Sequence, residues 1–407
     1  MIKEITGGVC AAQGFRAAGI HCGIQTDGSP EKNDLALILS ERECSAAAVY
    51  TLNRVKAAPI YVTMDHLEKG VAWGIVANSG NANACCPMSH ENAEAMCLFA
   101  AQATGREAED FAVASSGIIG QTINIQAVQT GVPKAAAALS REGSGGAATA
   151  IMTTDSVPKE IAVSLTLGGK EVKIGAIAKG SGMIHPNMGT LLAFITTDCA
   201  ITPGVLEEAI REVSSKTFNR VTIDGETSPG DMAIVLANGM AGNEQIEWKD
   251  EDYNTFCQAL DHVCRHLSRA IAGDGEGAGR LVTCRVAGAR SEESAERLAK
   301  TVVSSALVKA AMFGADANWG RVLVAMGYSK APFRPEHVDM SFESAAGSVL
   351  VCKQGDGLAF DEALAKKILS EKEVVIAVDL NEGGEQAECW GCDLTYDYVR
   401  INGDYRT

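Results

Sequence analysis

The sequence predicts a layered α/β fold built on mixed sheets, for three reasons. Helix and strand patterns follow one another without a regular strand-helix-strand repeat, which argues against an all-parallel sheet. The chain has 407 residues, enough for two substantial cores. Hydrophobic residues make up 46% of it and charged residues 21%, a balance that is typical of globular proteins.

The strand predictions depend on alternating apolar runs. Residues 161–167 alternate Ile, Val and Leu with smaller or polar residues, which is the two-residue period of a half-buried strand. Gly168-Gly169 leads into a second run that ends at Ala178, so the two runs together predict a β-hairpin. Shorter apolar runs predict further strands within residues 35–39, 70–80 and 191–195.

The helix predictions depend on boundary signals. Pro203 suits the first turn of a helix, and the S-E-E-S run from Ser291 is typical of a helix start. The run REGSGGA, residues 141–147, is in contrast the most linker-like stretch of the chain. Helices are predicted at about residues 91–104, 125–140, 251–272, 291–312 and 361–369, and from Pro203 onward.

Charge and cysteine content narrow the class of protein. The net charge of −16 repels phosphate backbones and no basic stripe offsets it, so we expect no nucleic-acid partner. No stretch of sequence is apolar for long enough to span a membrane, and the N-terminus lacks the apolar core of a signal peptide. The 13 cysteines are odd in number and scattered, which favours the reducing cytoplasm over a disulfide framework.

Two patterns have metal-ligand spacing but predict no metal site. Cys389 and Cys392 form a lone C-x-x-C pair without a second pair or histidine partners. His262 and His266 lie four residues apart on a predicted helix, without the glutamate of an H-E-x-x-H motif. We expect packed or solvated side chains at both places.

The segment AKGSGMIHPNMGTLLAFITTD, residues 178–198, carries the strongest functional signal. Gly180, Gly182 and Gly189 leave its backbone free to turn sharply or to approach a ligand closely. Thr190 stands between a glycine and an apolar strand, a position that suits an exposed, reactive hydroxyl. Composition alone favours a plainer interpretation, a glycine-rich turn that leads into a core strand.

This segment resembles the cleavage motif of the ornithine acetyltransferase (glutamate N-acetyltransferase) family, also called ArgJ. In that family a Lys-Gly-Ser-Gly-Met-Ile run precedes a Pro-Asn-Met-small-Thr run, as at residues 179–190 here. Similar matches follow in order over nearly the whole chain, which makes chance similarity an inadequate explanation. They are GFRAAGI, ANSGNANAC, ASSGIIG, IMTTD, FNRVTIDGET, DGEG, NWGR and WGCDLTYDYVRIN.

The resemblance implies a layered fold of the DmpA/ArgJ type with a site like that of N-terminal-nucleophile enzymes. It implies self-cleavage between Gly189 and Thr190, which divides the chain into an alpha chain, residues 1–189, and a beta chain, residues 190–407. Thr190 is then the nucleophile. Its freed α-amine, with an ordinary pKa of about 7.7–8, is an adjacent base.

The implied reaction is acetyl transfer from N-acetylornithine to glutamate in arginine biosynthesis, through an acetyl-threonine intermediate and hence with ping-pong kinetics. Ser116 and Gly117 take the oxyanion-hole positions, with Ser where the family has Thr. No cofactor is implied, while acetyl-CoA stays open as a second acetyl donor. The two chains are expected to stay associated in a heterotetramer. The substrate-binding positions are Thr153, Lys179, Thr190, Glu276, Asn402 and Thr407.

One loop departs from the family pattern, and two other functions stay open. The run GETSPGDM, residues 225–232, replaces a polar Thr-Asn-Asp type run, which leaves the contribution of this loop to the site in doubt. An amidohydrolase or aminopeptidase would share the Thr190 chemistry but would use water as the acceptor. A non-catalytic binding protein would keep Thr190 and stay uncleaved.

Overall fold

The computed structural model describes residues 2–24, 32–185 and 191–404, which form two β-sheets with helices packed on both. The strands of the first sheet are β1 (Lys3–Ile5), β2 (Phe15–Ile20), β3 (Leu35–Tyr50), β4 (Val71–Asn78), β5 (Phe111–Ser115), β6 (Lys159–Leu167), β7 (Lys170–Lys179), β8 (Leu192–Thr197) and β9 (Met232–Ala237). Those of the second are β10 (Leu281–Ala289), β11 (Asp339–Ser344), β12 (Gly347–Lys353), β13 (Asp356–Gly357), β14 (Glu373–Asp379) and β15 (Glu385–Cys392). The α-helices are α1 (Ala58–His66), α2 (Ser89–Thr104), α3 (Ile125–Ala137), α4 (Ser144–Ala150), α5 (Pro203–Lys216), α6 (Glu251–Gly273), α7 (Glu292–Ser304), α8 (Ala306–Phe313), α9 (Trp319–Gly327), α10 (Glu362–Leu369) and α11 (Tyr396–Asp404).

Both sheets are mixed, which confirms the predicted layered α/β architecture. The first runs in the order β1-β6-β7-β8-β9-β3-β4-β5, with β2 paired to β3, and its β8-β9 and β4-β5 pairs are parallel. Helices α5 and α6 pack on one of its faces, and α4 packs on the other. The second runs β13-β12-β11-β14-β10-β15 and buries its own core against α7, α9 and α10.

Strands β7 and β8 precede and follow residues 186–190 in sequence, and they lie beside β9 in the first sheet. Lys179, the last residue of β7, faces Leu192, the first residue of β8, in the antiparallel ladder. Leu192 in turn faces Met232, the first residue of β9. The predicted chain division at 189/190 lies, in sequence, between two paired strands of the first sheet.

Most of the predicted elements are present. The hairpin at residues 161–178 is the antiparallel β6-β7 pair, and the strand at 191–195 is β8. The helices predicted near 91–104, 125–140, 251–272 and 361–369, and from Pro203, are α2, α3, α6, α10 and α5. The single helix predicted at 291–312 is two, α7 and α8. Ser305 separates them, because its side chain accepts a hydrogen bond from the Val308 amide and so caps α8.

The linker predicted at residues 141–147 is wrong, because most of this run belongs to α4. Its glycines permit close packing and do not make a flexible connection. A Cβ atom on Gly143 would collide with the Ala17 carbonyl, and one on Gly19 would collide with the Gly146 backbone. Backbone-to-backbone contact between α4 and β2 therefore needs glycine at these positions. No helix within the described ranges is long and apolar enough to cross a membrane.

Candidate active site

A cavity of about 290 Å³ lies where β5 and β7 end and β8 and β9 begin. Its walls bring together residues that are far apart in sequence, among them Leu192, two positions after Thr190. Gly189, Thr190 and Thr407 lie outside the described residues. The six other residues predicted from the sequence all line this cavity, namely Ser116, Gly117, Thr153, Lys179, Glu276 and Asn402.

Lys179 is the buried cation of the cavity wall. The residue is only 7% exposed, and its Nζ lies 3.1 Å from the Ser116 Oγ, to which it donates a hydrogen bond. The ammonium group thus holds the hydroxyl of one predicted oxyanion-hole residue. Because the lysine is buried, its charge also acts strongly on any acyl oxygen in the cavity.

Gly117 occupies a position that only glycine fits. Its φ is 138°, and a Cβ atom there would lie within 3.0 Å of the backbone of Gly80 and Asn81. The loop after β5 can therefore fold back on the chain after β4 and present its own backbone to the cavity. The sequence prediction placed an oxyanion-hole amide here, and this exposed backbone is suited to that role.

A buried ion cluster fixes two walls of the cavity relative to each other. The Lys159 Nζ lies 2.7 Å from Asp155 Oδ1 and 2.6 Å from Asp274 Oδ2, and the side chain is 1% exposed. Asp155 also accepts hydrogen bonds from the amides of Thr153, at 3.1 Å, and Gly180, at 2.7 Å. Burial alone would raise the pKa of Asp155, but the charges of Lys179 and Lys159 outweigh it and lower that pKa. The carboxylate is therefore ionised and holds Thr153 in place.

Glu276 carries a carboxylate at the open side of the cavity. Its amide donates a hydrogen bond to the Ser181 carbonyl at 2.9 Å, which fixes the Gly275–Gly277 turn. Its Oε2 accepts a hydrogen bond from Asn402 Nδ2 at 2.6 Å, so helix α11 positions the acid. Gly182 packs directly against this carboxylate, because a Cβ there would lie within 3.0 Å of it. The group is suited to an ammonium group of a substrate.

Two side chains after α5, Asp224 and Thr227, hold the backbone just before residue 186 with three hydrogen bonds. Asp224 accepts hydrogen bonds from the amides of Met183, at 2.7 Å, and Ile184, at 2.9 Å. Thr227 Oγ1 donates to the His185 carbonyl at 2.8 Å. Met183 has a left-handed φ of 55°, which the two Asp224 contacts stabilise. The segment that leads to the predicted scissile bond is thus held in one conformation.

The loop that departs from the family pattern, residues 225–232, contributes to the cavity wall. Ser228, Pro229, Gly230 and Asp231 all line the cavity. Asp231 is 6% exposed, and burial raises the pKa of its carboxyl group to about 8. The charge of Lys179 and the hydrogen bonds from Ser228 lower this pKa, but they offset the effect of burial only in part. Asp231 was not predicted from the sequence, although an acid directly before the apolar run MAIVLA was a usable signal.

The two metal-like patterns lie outside the cavity wall. Cys389 and Cys392 are buried in β15, and burial raises the pKa of Cys389 to about 12. His262 Nε2 on α6 lies 2.8 Å from Glu4 Oε1, and His266 is exposed on the same helix. Among the described residues no group of three His, Cys, Asp or Glu side chains is arranged to hold a metal ion.

Comparison with known proteins identifies the family. The sequence profile of the ArgJ family matches residues 16–407. The arginine biosynthesis bifunctional protein ArgJ of Symbiobacterium thermophilum is 50% identical over 407 residues and that of Caldanaerobacter subterraneus 46%, both over the full length of both chains. The crystal structure of the Bacillus halodurans ArgJ protein is 42% identical and covers 52% of this chain and 98% of its own, with a TM-score of 0.49. The resemblance predicted from the motifs is confirmed, and the chain belongs to the ArgJ family.

Proposed function

We propose that this protein is a self-cleaving ornithine acetyltransferase of arginine biosynthesis that acts in the cytoplasm, with Thr190 as its nucleophile. One observation supports it above the others. Six residues expected at the site from the sequence share one cavity with Leu192, two positions from Thr190. These six residues are spread between positions 116 and 402, so sequence proximity does not explain why they line one cavity.

Self-cleavage is the first step of the proposal. The Thr190 hydroxyl attacks the Gly189 carbonyl, the Gly189–Thr190 amide becomes an ester, and water hydrolyses that ester. The products are a carboxylate at Gly189 and a Thr190 residue with a free α-amine, which is a base next to the hydroxyl it activates. The contacts that Asp224 and Thr227 make with residues 183–185 support this step, because they fix the backbone that enters the bond.

Acetyl transfer is the second step. Thr190 Oγ attacks the acetyl carbonyl of N-acetylornithine, ornithine leaves, and glutamate then takes the acetyl group from Thr190. Each tetrahedral intermediate carries an oxyanion, which we assign to the Ser116–Gly117 backbone and hydroxyl next to the Lys179 cation. Loss of one such donor typically reduces kcat by about 100- to 1000-fold.

The remaining residues are assigned to substrate recognition. The Glu276 carboxylate is the proposed partner of the ornithine ammonium, with Asn402 holding it at 2.6 Å. Lys179 and Thr153 are proposed to bind the carboxylate and the amide of the substrates. Thr407 completes the set by resemblance to the family. No metal or cofactor takes part in this scheme.

The two chains formed by cleavage are proposed to stay together and to pair into a heterotetramer. The antiparallel β7-β8 ladder supports their association, because it joins six residue pairs from Ile174/Thr197 to Lys179/Leu192 across the cut. Strand β8 is also paired to β9 and so belongs to the same continuous sheet. Breaking one peptide bond leaves these backbone hydrogen bonds intact.

Acetyl-CoA is proposed as a second donor to glutamate, because the relatives cited above are named bifunctional. The acetylated Thr190 would be the same from either donor. The test is synthesis of N-acetylglutamate from acetyl-CoA and glutamate, compared with the Thr190→Ala variant.

The deciding experiment for the proposed function is a product assay with N-acetylornithine, with and without glutamate. Transfer predicts N-acetylglutamate and ornithine in equal amounts, and little acetate in either mixture. Acetate release at the same rate with and without glutamate would instead identify a hydrolase. The Glu226→Gln variant should give the same products as the wild type, because Glu226 is exposed and outside the cavity wall.

A further inference from the structure

Asp231 is a buried acid that the scheme above leaves without a role. It lines the same cavity as Lys179 and is 6% exposed. Within the described residues its Oδ2 has no hydrogen-bond partner, and the same holds for the Ser115 hydroxyl in that wall. A buried polar atom without a partner destabilises the folded state, so its presence in a cavity indicates a functional group.

The backbone places Asp231 close to the predicted reaction centre. The amide of Met232, the next residue, donates a hydrogen bond to the Leu191 carbonyl at 2.9 Å. Leu191 is covalently bonded to Thr190, so Asp231 and Thr190 each stand one residue away from this contact. Thr51 donates its amide to the Asp231 carbonyl at 3.0 Å and fixes the other side of the loop.

The groups around Asp231 leave it available for proton transfer. The groups that act on its carboxyl are Lys179 at the end of β7 and the side chain and backbone of Ser228, and of these only Lys179 is charged. Burial raises its pKa to about 8 in spite of Lys179. An acid with such a pKa is a stronger base when ionised than an ordinary carboxylate, and a fraction of it is ionised near neutral pH.

We propose that Asp231 is the general base and acid of the self-cleavage step, an inference that depends on the proposed function. The Asp231 carboxylate accepts the proton of the Thr190 hydroxyl while Oγ bonds to the Gly189 carbonyl carbon. When the Gly189–Thr190 C–N bond breaks, the departing nitrogen takes that proton from Asp231. The carboxylate is regenerated, and water then hydrolyses the ester. The step precedes the release of the α-amine, so it needs a base other than that amine.

The test follows cleavage in freshly made precursor, by the mass of the denatured protein over time. Asp231→Asn keeps the shape and removes the base, and we expect cleavage at least about 100-fold slower than in the wild type. Glu226→Gln removes an exposed carboxylate from the same loop and should cleave at the wild-type rate. Cleavage of Asp231→Asn at the wild-type rate would overturn the inference alone. A wild-type chain that stays intact would overturn the proposed function as well.

Two further readouts separate a chemical role from a structural one. Asp231→Ala leaves space in the cavity, and sodium formate should restore part of its cleavage while sodium chloride at the same concentration should not. Asp231→Asn should also be at least as stable as the wild type above neutral pH. The raised pKa means that ionisation of Asp231 favours the unfolded state, and asparagine does not ionise. A destabilised variant without formate rescue would mean that Asp231 only supports the fold.

Discussion

The contact between Gly182 and Glu276 makes a sharp prediction for Gly182→Ala. The alanine methyl group would lie within 3.0 Å of the Glu276 carboxylate, whereas ordinary contact begins at 3.4 Å. The backbone of Gly182 does not have a positive φ, so alanine itself is tolerated there. The far end of the glutamate side chain must therefore move by about 1 Å, which disturbs its contact with Asn402 and with the proposed substrate ammonium.

The expected loss follows from this displacement. One hydrogen bond to a charged group contributes about 1.5–3 kcal/mol, and each 1.4 kcal/mol is tenfold in rate. We therefore expect kcat/KM for N-acetylornithine to fall by about 10- to 100-fold, a size also typical of a 1 Å misplacement. Stability should change by less than about 1.5 kcal/mol, because a flexible side chain absorbs the strain.

The assay compares Gly182→Ala with Gly204→Ala and with Glu276→Gln. Gly204 lies on α5 with nothing near its Cβ position, so its alanine variant should match the wild type. The double variant Gly182→Ala/Glu276→Gln should lose little more than Glu276→Gln alone, because both changes act on one contact. Wild-type kcat/KM in Gly182→Ala, or fully additive losses in the double variant, would refute the reasoning.

Three further predictions concern stability. Lys159→Met leaves the buried carboxylate of Asp155 and the partly buried carboxylate of Asp274 without their cation, and should cost about 3–5 kcal/mol in the free energy of unfolding. Asp155 has a lowered pKa in the folded state, so its stabilising contribution is present above its unfolded pKa of about 3.9. The difference in unfolding free energy between wild type and Asp155→Asn should therefore shrink as the pH falls from the unfolded pKa of Asp155 to its lower folded pKa. Asp250 caps α6 by accepting the Tyr253 amide at 2.8 Å, so Asp250→Ala should cost about 0.5–2 kcal/mol, with Asp250→Asn near neutral.

Urea unfolding measures all three in the Thr190→Ala background, where the chain is expected to stay whole. Lys216→Met is the control for Lys159→Met, because Lys216 is half exposed and its ion pair with Glu292 contributes at most about 1 kcal/mol. Equal effects of the two lysine variants would contradict the buried cluster. A difference between wild type and Asp155→Asn that grows on acidification would contradict the assigned ionisation. Full stability in Asp250→Ala would contradict the cap.

Local sequence patterns predicted the strands and helices that have a clear hydrophobic period. They failed where contacts between distant segments determine the secondary structure. The large apolar side chains at residues 161–167 all face one core, so their period was visible in the sequence. The strand is not half-buried as predicted, because Ala162 and Ser164 on its other face are buried too. The helix α4 was not predicted, because the contact of its N-terminal end with β2 requires glycine at Gly143, which looks like a linker residue in isolation. The break at Ser305 depends on one capping hydrogen bond within an otherwise helical run.

The site was predictable in part, through motif resemblance and not through spacing. Nothing in the sequence alone brings Ser116 next to Lys179, since the two residues are 63 positions apart and lie at the ends of β5 and β7, which do not pair with each other. The Lys159 cluster was missed, because Asp155 and Asp274 meet only after the first sheet forms. The Asp224 contacts were missed because they join residues about 40 positions apart in sequence. Asp231 was obscured by its loop, which differs from the family pattern, and only its burial reveals the raised pKa.

The most direct test of the central claim is the denatured mass of protein quenched after incubation with N-acetylornithine alone. We predict two fragments that divide between Gly189 and Thr190, with the fragment that begins at Thr190 heavier by one acetyl group. The Thr190→Ala variant should give one intact, unacetylated chain. A wild-type protein that also gives one intact, unacetylated chain would contradict both the self-cleavage and the acetyl-threonine intermediate.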